Sequence, residues 1–189
     1  MSVQSWQETL VVQQSAGTLF ATYTAAKSVI NPQALFTLPS NYLYPGRKLR
    51  FAVKGGISNI VTTPGLMNFQ VKIGGVAAFD TGNIQLNATA HTTLPFWLEI
   101  EMTCRAVGSG TSANMMGLAN VTGIMFTATA GQVDSVQGPP TILAPATAMV
   151  VGTGFDSTIA NIVDLWAGFT ISNAGNGIQI QTYALESLS

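Results

Sequence analysis

"FWLEIEMTCRAVG", residues 96–108, sets the fold class. Phe96, Leu98, Ile100, Met102 and Cys104 fall on one parity, and Trp97, Glu99, Glu101, Thr103 and Arg105 on the other. A period of two belongs to an extended chain, whose successive side chains point to opposite sides. The stretch therefore predicts a β-strand with one apolar and one polar face. The polar face carries two carboxylates two positions apart beside an arginine, which is either the chemistry of a site or the wet side of a sheet.

The same alternation recurs on both sides. "RKLRFAVK" (47–54) sets Leu49, Phe51 and Val53 against Lys48, Arg50 and Lys54, and "MNFQVKI" (67–73) sets Met67, Phe69, Val71 and Ile73 against Asn68, Gln70 and Lys72. Gly74 and Gly75 then suit a two-residue hairpin turn, from which "VAAFD" returns antiparallel. Basic and acidic polar faces predict cross-strand ion pairs. On this reading Glu99 and Glu101 are the wet face of one sheet, paired with basic neighbours.

Further strands are expected at 121–130, 162–171 and 178–186, the last two joined by "SNAGNG", where Asn176 and Gly177 suit a turn with positive φ. Shorter candidates lie at 9–15, 18–23 and 34–38. No long amphipathic helix is evident. Many strands at turn-like spacing predict an all-β antiparallel sandwich of jelly-roll type, two four-stranded sheets packed face to face. The stretches 107–120 and 131–158 read as long irregular loops. Residues 1–16 read as an N-terminal arm that adds to a neighbouring subunit's sheet, and 17–189 as a single jelly-roll domain.

A chain of 189 residues buries roughly 70% of its unfolded surface and needs no staples. Its single cysteine excludes an intrachain disulfide, and the parity of Cys104 marks it as a small core residue. Charged residues are 8% of the chain against a usual figure of about 25%, with a net charge of -1. That balance argues against nucleic acid as a partner. A surface with so few charges predicts cover by partners in a permanent assembly. "MSVQSWQETL" lacks the pattern of a secretory signal, and no apolar run reaches about 18 residues, so a soluble protein made in a cytoplasm, with no membrane partner, is expected. On that route the glycosylation patterns at Asn87 and Asn120 are coincidental.

The residues for chemistry are sparse. Glu99 and Glu101 lie roughly 7 Å apart along an extended chain, a spacing open to glycosidase geometry, yet nothing nearby in sequence would hold one of them protonated. His91 is the only histidine, which leaves too few ligands for a zinc or cupin-type metal site. No serine sits in a nucleophile-elbow context, and "GSGTSA" (108–113) opens no helix. No catalytic residue, metal or cofactor is expected, and the chain is read as a non-enzyme. Trp97 and Trp166 are candidate platforms for a sugar or a partner, although packing against loops or a subunit neighbour is the preferred reading. Trp6 is a candidate anchor in another chain.

The phrases "LPSNYLYPGRKLRF" (38–51), "VTTPGLMNFQVKIGG" (61–75), "FWLEIEMTCRAVGSGTSANMMG" (96–117), "VGTGFDSTIANIVDLWA" (151–167) and "IQIQTYALESL" (178–188) together resemble tailed-bacteriophage and prophage virion structural proteins. The resemblance implies a jelly-roll-like domain that coats or projects from the particle as a symmetric oligomer. It brings no catalytic residues. The expectation that follows is a head decoration or cement protein on the virion surface. It would be made in the host cytoplasm, bind the outside of the major capsid protein shell, and self-associate as a trimer, with a dimer as the alternative, through Met115, Met116 and Leu118, with Trp6 and Trp97 as further contacts. The alternative is a tail or fibre protein whose jelly roll binds a host surface glycan.

Overall fold

The computed structural model describes residues 6–60, 62–127, 141–145 and 148–189. Among these, the strands are β1 (Gln7–Val12), β2 (Phe20–Ala21), β3 (Lys27–Ser28), β4 (Phe36–Leu38), β5 (Lys48–Asn59), β6 (Leu66–Ile73), β7 (Val76–Asp80), β8 (Ile84–Leu86), β9 (His91–Ala106), β10 (Asn114–Thr122), β11 (Phe126–Thr127), β12 (Thr141–Ala144), β13 (Asn161–Phe169) and β14 (Gly177–Leu188). The first sheet runs β1-β14-β5-β9-β10-β12, with β2 beside β14. The second runs β11-β8-β6-β13-β3, with β4 beside β13 and β7 beside β6. The ladders are antiparallel. Successive strands from β4 to β6 and from β10 to β14 change sheet, the wrapping of a jelly-roll sandwich.

The alternation read from the sequence is what fills the core. Leu49, Phe51 and Val53 of β5 and Leu98, Ile100, Met102 and Cys104 of β9 point inward, against Met67, Phe69, Val71 and Ile73 of β6 and Val163, Leu165 and Ala167 of β13. Cys104 is buried, and that burial pushes its thiol pKa up. The hairpin forms at the residues expected: Ile73 pairs with Val76, and Gly74 and Gly75 sit at φ +60° and +85°. Two successive positive φ values are the demand of the primed turn that joins twisted strands.

Several expectations are corrected. Among the described residues each sheet has seven strands rather than four, because short strands extend the edges. Residues 114–120 of the supposed 107–120 loop belong to β10, paired with β9 along its length. Its inward positions are Met115, Gly117, Ala119 and Val121, and Gly117 hides the alternation because the Phe79 ring fills the space its side chain would take. The strand expected at 121–130 breaks at Gly123, beyond which β11 belongs to the other sheet; residues 128–130 lie outside the described residues.

Of the supposed 131–158 loop, 131–140 and 146–147 lie outside the described residues, whereas Thr141–Ala144 form edge strand β12. Residues 152–155 form a strap between the sheets: Gly152 N–H donates to Met115 C=O at 2.9 Å, Thr153 N–H to Ala77 C=O at 3.2 Å, and Phe155 N–H to Ala113 C=O at 2.9 Å. The arm expected at 1–16 is not one over residues 7–12, which form β1 on this chain's own β14, the strand whose free edge lies nearest. Residues 1–5 of that arm lie outside the described residues. Neither Asn176 nor Gly177 has a positive φ. Asn176 is instead a buried tie, its amide donating to Pro64 C=O and accepting from Ile60 N–H.

Candidate binding face

The outer face of the first sheet collects the polar parities of its strands. β5 presents Lys48, Arg50 and Lys54; β9 presents Trp97, Glu99 and Glu101; β10 presents Met116, Leu118, Asn120 and Thr122; β12 presents Thr141 and Leu143. Register sets the neighbours: Trp97 lies between Lys54 and Thr122, Glu101 between Arg50 and Leu118, and Asn120 between Glu99 and Leu143. The face has three zones as a result.

The centre is charged and self-satisfied. Lys48 Nζ lies 2.6 Å from Glu101 Oε1 and Arg50 Nε 2.7 Å from Glu99 Oε1, with Arg50 Nη1 at 3.8 Å from Glu186 Oε2 on β14. Each carboxylate of the opening strand is held by a cation, as the basic and acidic faces predicted. Among the described residues no group of three or more His, Cys, Asp or Glu gathers to hold a metal ion.

At one end Trp97 is 49% exposed beside an apolar groove of about 500 Å³, lined by Lys54, Phe96, Trp97, Ile124, Gln181 and Thr182 among others. Lys54 Nζ stands 5.2 Å from the Trp97 ring centroid. A depression of about 460 Å³ runs from the charged centre to the β12 edge, lined by Glu99, Glu101, Arg105, Leu118, Leu143 and Met149 among others. Leu118, Leu143 and Met149 are 50%, 62% and 56% exposed, an apolar strip along the β12 edge.

The predicted contact residues divide. Trp97 and Leu118 are exposed on this face, and Met116 is half-buried on it. Met115 is not an interface residue: it points into the core and is fully buried, because its parity on β10 is opposite to that of Met116 and Leu118. Trp6 is exposed, but its backbone is tied to Ser189 by reciprocal hydrogen bonds of 3.1 and 3.0 Å, beside this chain's own C-terminus. Trp166 is no open platform. Its Nε1–H donates to Asp164 Oδ2 at 2.6 Å, Ser28 Oγ–H donates to Asp164 Oδ1 at 2.7 Å, and Lys72 Nζ covers the ring at 3.4 Å from its centroid. Leu143, Met149 and Ile124 escaped the sequence reading because they lie outside clean alternating runs; strand pairing with β10 is what brings Leu143 to this face.

No protein family matches the chain, and no curated protein matches its sequence. Among solved structures it is similar to the CBM2 module of the evolved Dit of Lactobacillus casei BL23 phage J-1, with TM-score 0.32 and 10% identity over 97% of each chain. It is also similar to winged bean acidic lectin complexed with methyl-alpha-D-galactose, with TM-score 0.28 and 9% identity over 98% of this chain and 100% of that one. Peanut lectin with a 9mer peptide gives TM-score 0.28 and 7% identity over 99% of each. Likeness at this level assigns neither a family nor a ligand.

Proposed function

We propose that this chain is a structural protein of a tailed-phage particle, a head decoration protein that binds the outside of the major capsid shell through the outer face of its first sheet. The observation that carries the reading is the exposed strip Leu118, Leu143 and Met149 beside the Lys48–Glu101 and Arg50–Glu99 pairs. Exposed apolar side chains beside polar and charged ones are the material of a protein–protein interface, and an apolar strip on a sparsely charged surface calls for a partner. A protein that binds the assembled shell better than its dissociated parts stabilises assembly by mass action. The same proposal includes a closed homotrimer at local three-fold points, no enzymatic activity, and no nucleic-acid or membrane partner.

Cosedimentation with undecorated heads tests the reading. Saturable binding is expected, lost in the Leu143→Asp, Met149→Asp double variant, with a trimeric mass in solution. Undiminished binding by that variant removes the contact surface from the proposal, and gold-tagged antibody found on tails rather than heads removes the capsid assignment. The tail or fibre alternative is favoured by one specific observation, the open groove at Trp97.

A further inference from the structure

We propose that the Trp97 groove is a carbohydrate site that takes a pyranose ring bearing a carboxylate. The inference does not need the decoration reading. The groove lies four residues along β9 from Glu101, whose register neighbour Leu118 marks the apolar strip, so the two sites can be tested apart.

Trp97 stands between Lys54 of β5 and Thr122 of β10 with half of its surface open, and no described segment covers it. An exposed indole offers a rigid apolar plane with little conformational entropy to lose, which suits the flat C–H face of a sugar ring. The cavity of about 500 Å³ falls in the range of small-ligand sites, about 300–1,000 Å³.

The rim supplies what hydroxyls require. The pairing of β14 with β5 slips between Ile180 and Thr182, and at this bulge Gln181 and Thr182 are both exposed, where regular alternation would bury one of them. A bulge re-aims a side chain, and here it brings both polar residues to line the groove. Gln181 donates to Gln179 Oε1 at 3.1 Å, which leaves its own carbonyl oxygen to accept; the Thr182 hydroxyl both donates and accepts, while that of Thr122 shares one bond of 3.1 Å with Thr141.

Charge selects among sugars. Lys54 is the only charged residue in the groove lining, and it forms no ion pair among the described residues. The nearest carboxylate along β9, Glu99, is held by Arg50. The one charge on this apolar groove is therefore a cation, in a chain of net charge -1, and its complement is an anion. An apolar side chain of a protein partner would leave the Lys54 ammonium, the Gln181 carbonyl and the Thr182 hydroxyl without a partner from the ligand.

Calorimetric titration of the intact protein with tetragalacturonate and tetraglucuronate, against maltotetraose as the neutral comparator, tests the site. Sub-millimolar binding of at least one uronate is expected, roughly tenfold weaker in Trp97→Ala, with a similar loss in Lys54→Gln and a decline as salt rises. Both residues are exposed, and an unchanged melting temperature confirms that the variants fold. Three results overturn the proposal: no uronate binding at millimolar concentration, undiminished binding by Trp97→Ala, or maltotetraose binding equal to the uronates. The Leu143→Asp, Met149→Asp variant, whose residues do not line the groove, is expected to keep wild-type uronate binding, so loss of head binding with intact sugar binding shows that the two sites fail apart.

Discussion

Arg50 faces Glu101 across the β5–β9 ladder but bonds Glu99, with Nε 2.7 Å from Oε1, while Lys48 takes Glu101 at 2.6 Å. Both pairs run diagonally in the same sense. Long side chains on a twisted sheet reach the diagonal neighbour as readily as the one opposite. Arg50 also approaches Glu186 on its other side, so β14, β5 and β9 are linked at their surface. The two carboxylates that first suggested an acid–base pair are thus components of a surface charge lattice.

Because these pairs are partly exposed, their contribution is small. A double-mutant cycle on Arg50→Met and Glu99→Gln is expected to give a coupling energy of about 1 kcal/mol or less, shrinking between low and high salt. A salt-independent coupling of several kcal/mol would contradict the surface assignment.

Met115 and Leu118 separate core from surface on one strand. Met115→Ala is expected to cost about 2–5 kcal/mol of folding stability, since it opens a cavity under β10. Leu118→Ala should change stability by about 0.5 kcal/mol or less, its side chain being half exposed. Denaturant unfolding of the two variants checks the parity of β10, and equal losses would refute it.

The two glycines of the β6–β7 hairpin are unequal. A side chain at Gly74 would run into Asn161 Oδ1, and the Asn161 amide donates to Asp156 C=O at 2.6 Å and Ile159 C=O at 2.9 Å, whereas nothing lies within 4 Å of the space beside Gly75. Both hold positive φ. Gly75→Ala is expected to cost about 1 kcal/mol and Gly74→Ala up to about 3 kcal/mol. Equal unfolding midpoints would show that Asn161 yields without cost.

Asp164 gives a pH signature. Burial raises its pKa, opposed by the hydrogen bonds from Ser28 and Trp166 and by the charge of Lys72. A raised pKa means that the folded chain keeps this proton where the unfolded chain, with its value near about 3.9, has lost it. The contribution to stability is therefore complete below that pH and is lost as pH rises through the folded value. The stability of wild type relative to Asp164→Asn is expected to fall as pH rises above the unfolded-state value. A difference that is flat or rises there would contradict the burial argument.

The sequence by itself determined the two-faced strands β5, β6 and β9, the hairpin at Gly74 and Gly75, the burial of Cys104 and the pairing of acidic with basic faces. Each follows from period two or from the backbone freedom of glycine, which are local properties. It did not reveal β10, because Gly117 replaces a core side chain with space for Phe79, a residue 38 positions earlier. It placed Met115 with Met116 and Leu118, although adjacent residues of a strand face opposite ways and only pairing with β9 fixes which way. It sent residues 7–12 to a neighbour, when the free edge of β14 holds them at home. The Trp97 groove was half legible: an exposed tryptophan on a polar parity could be read, but Lys54, Ile124 and the pair Gln181 and Thr182 come from three separate segments. Strand register and one bulge bring them together, and register is set by the packing of the whole sheet rather than by any one of its strands.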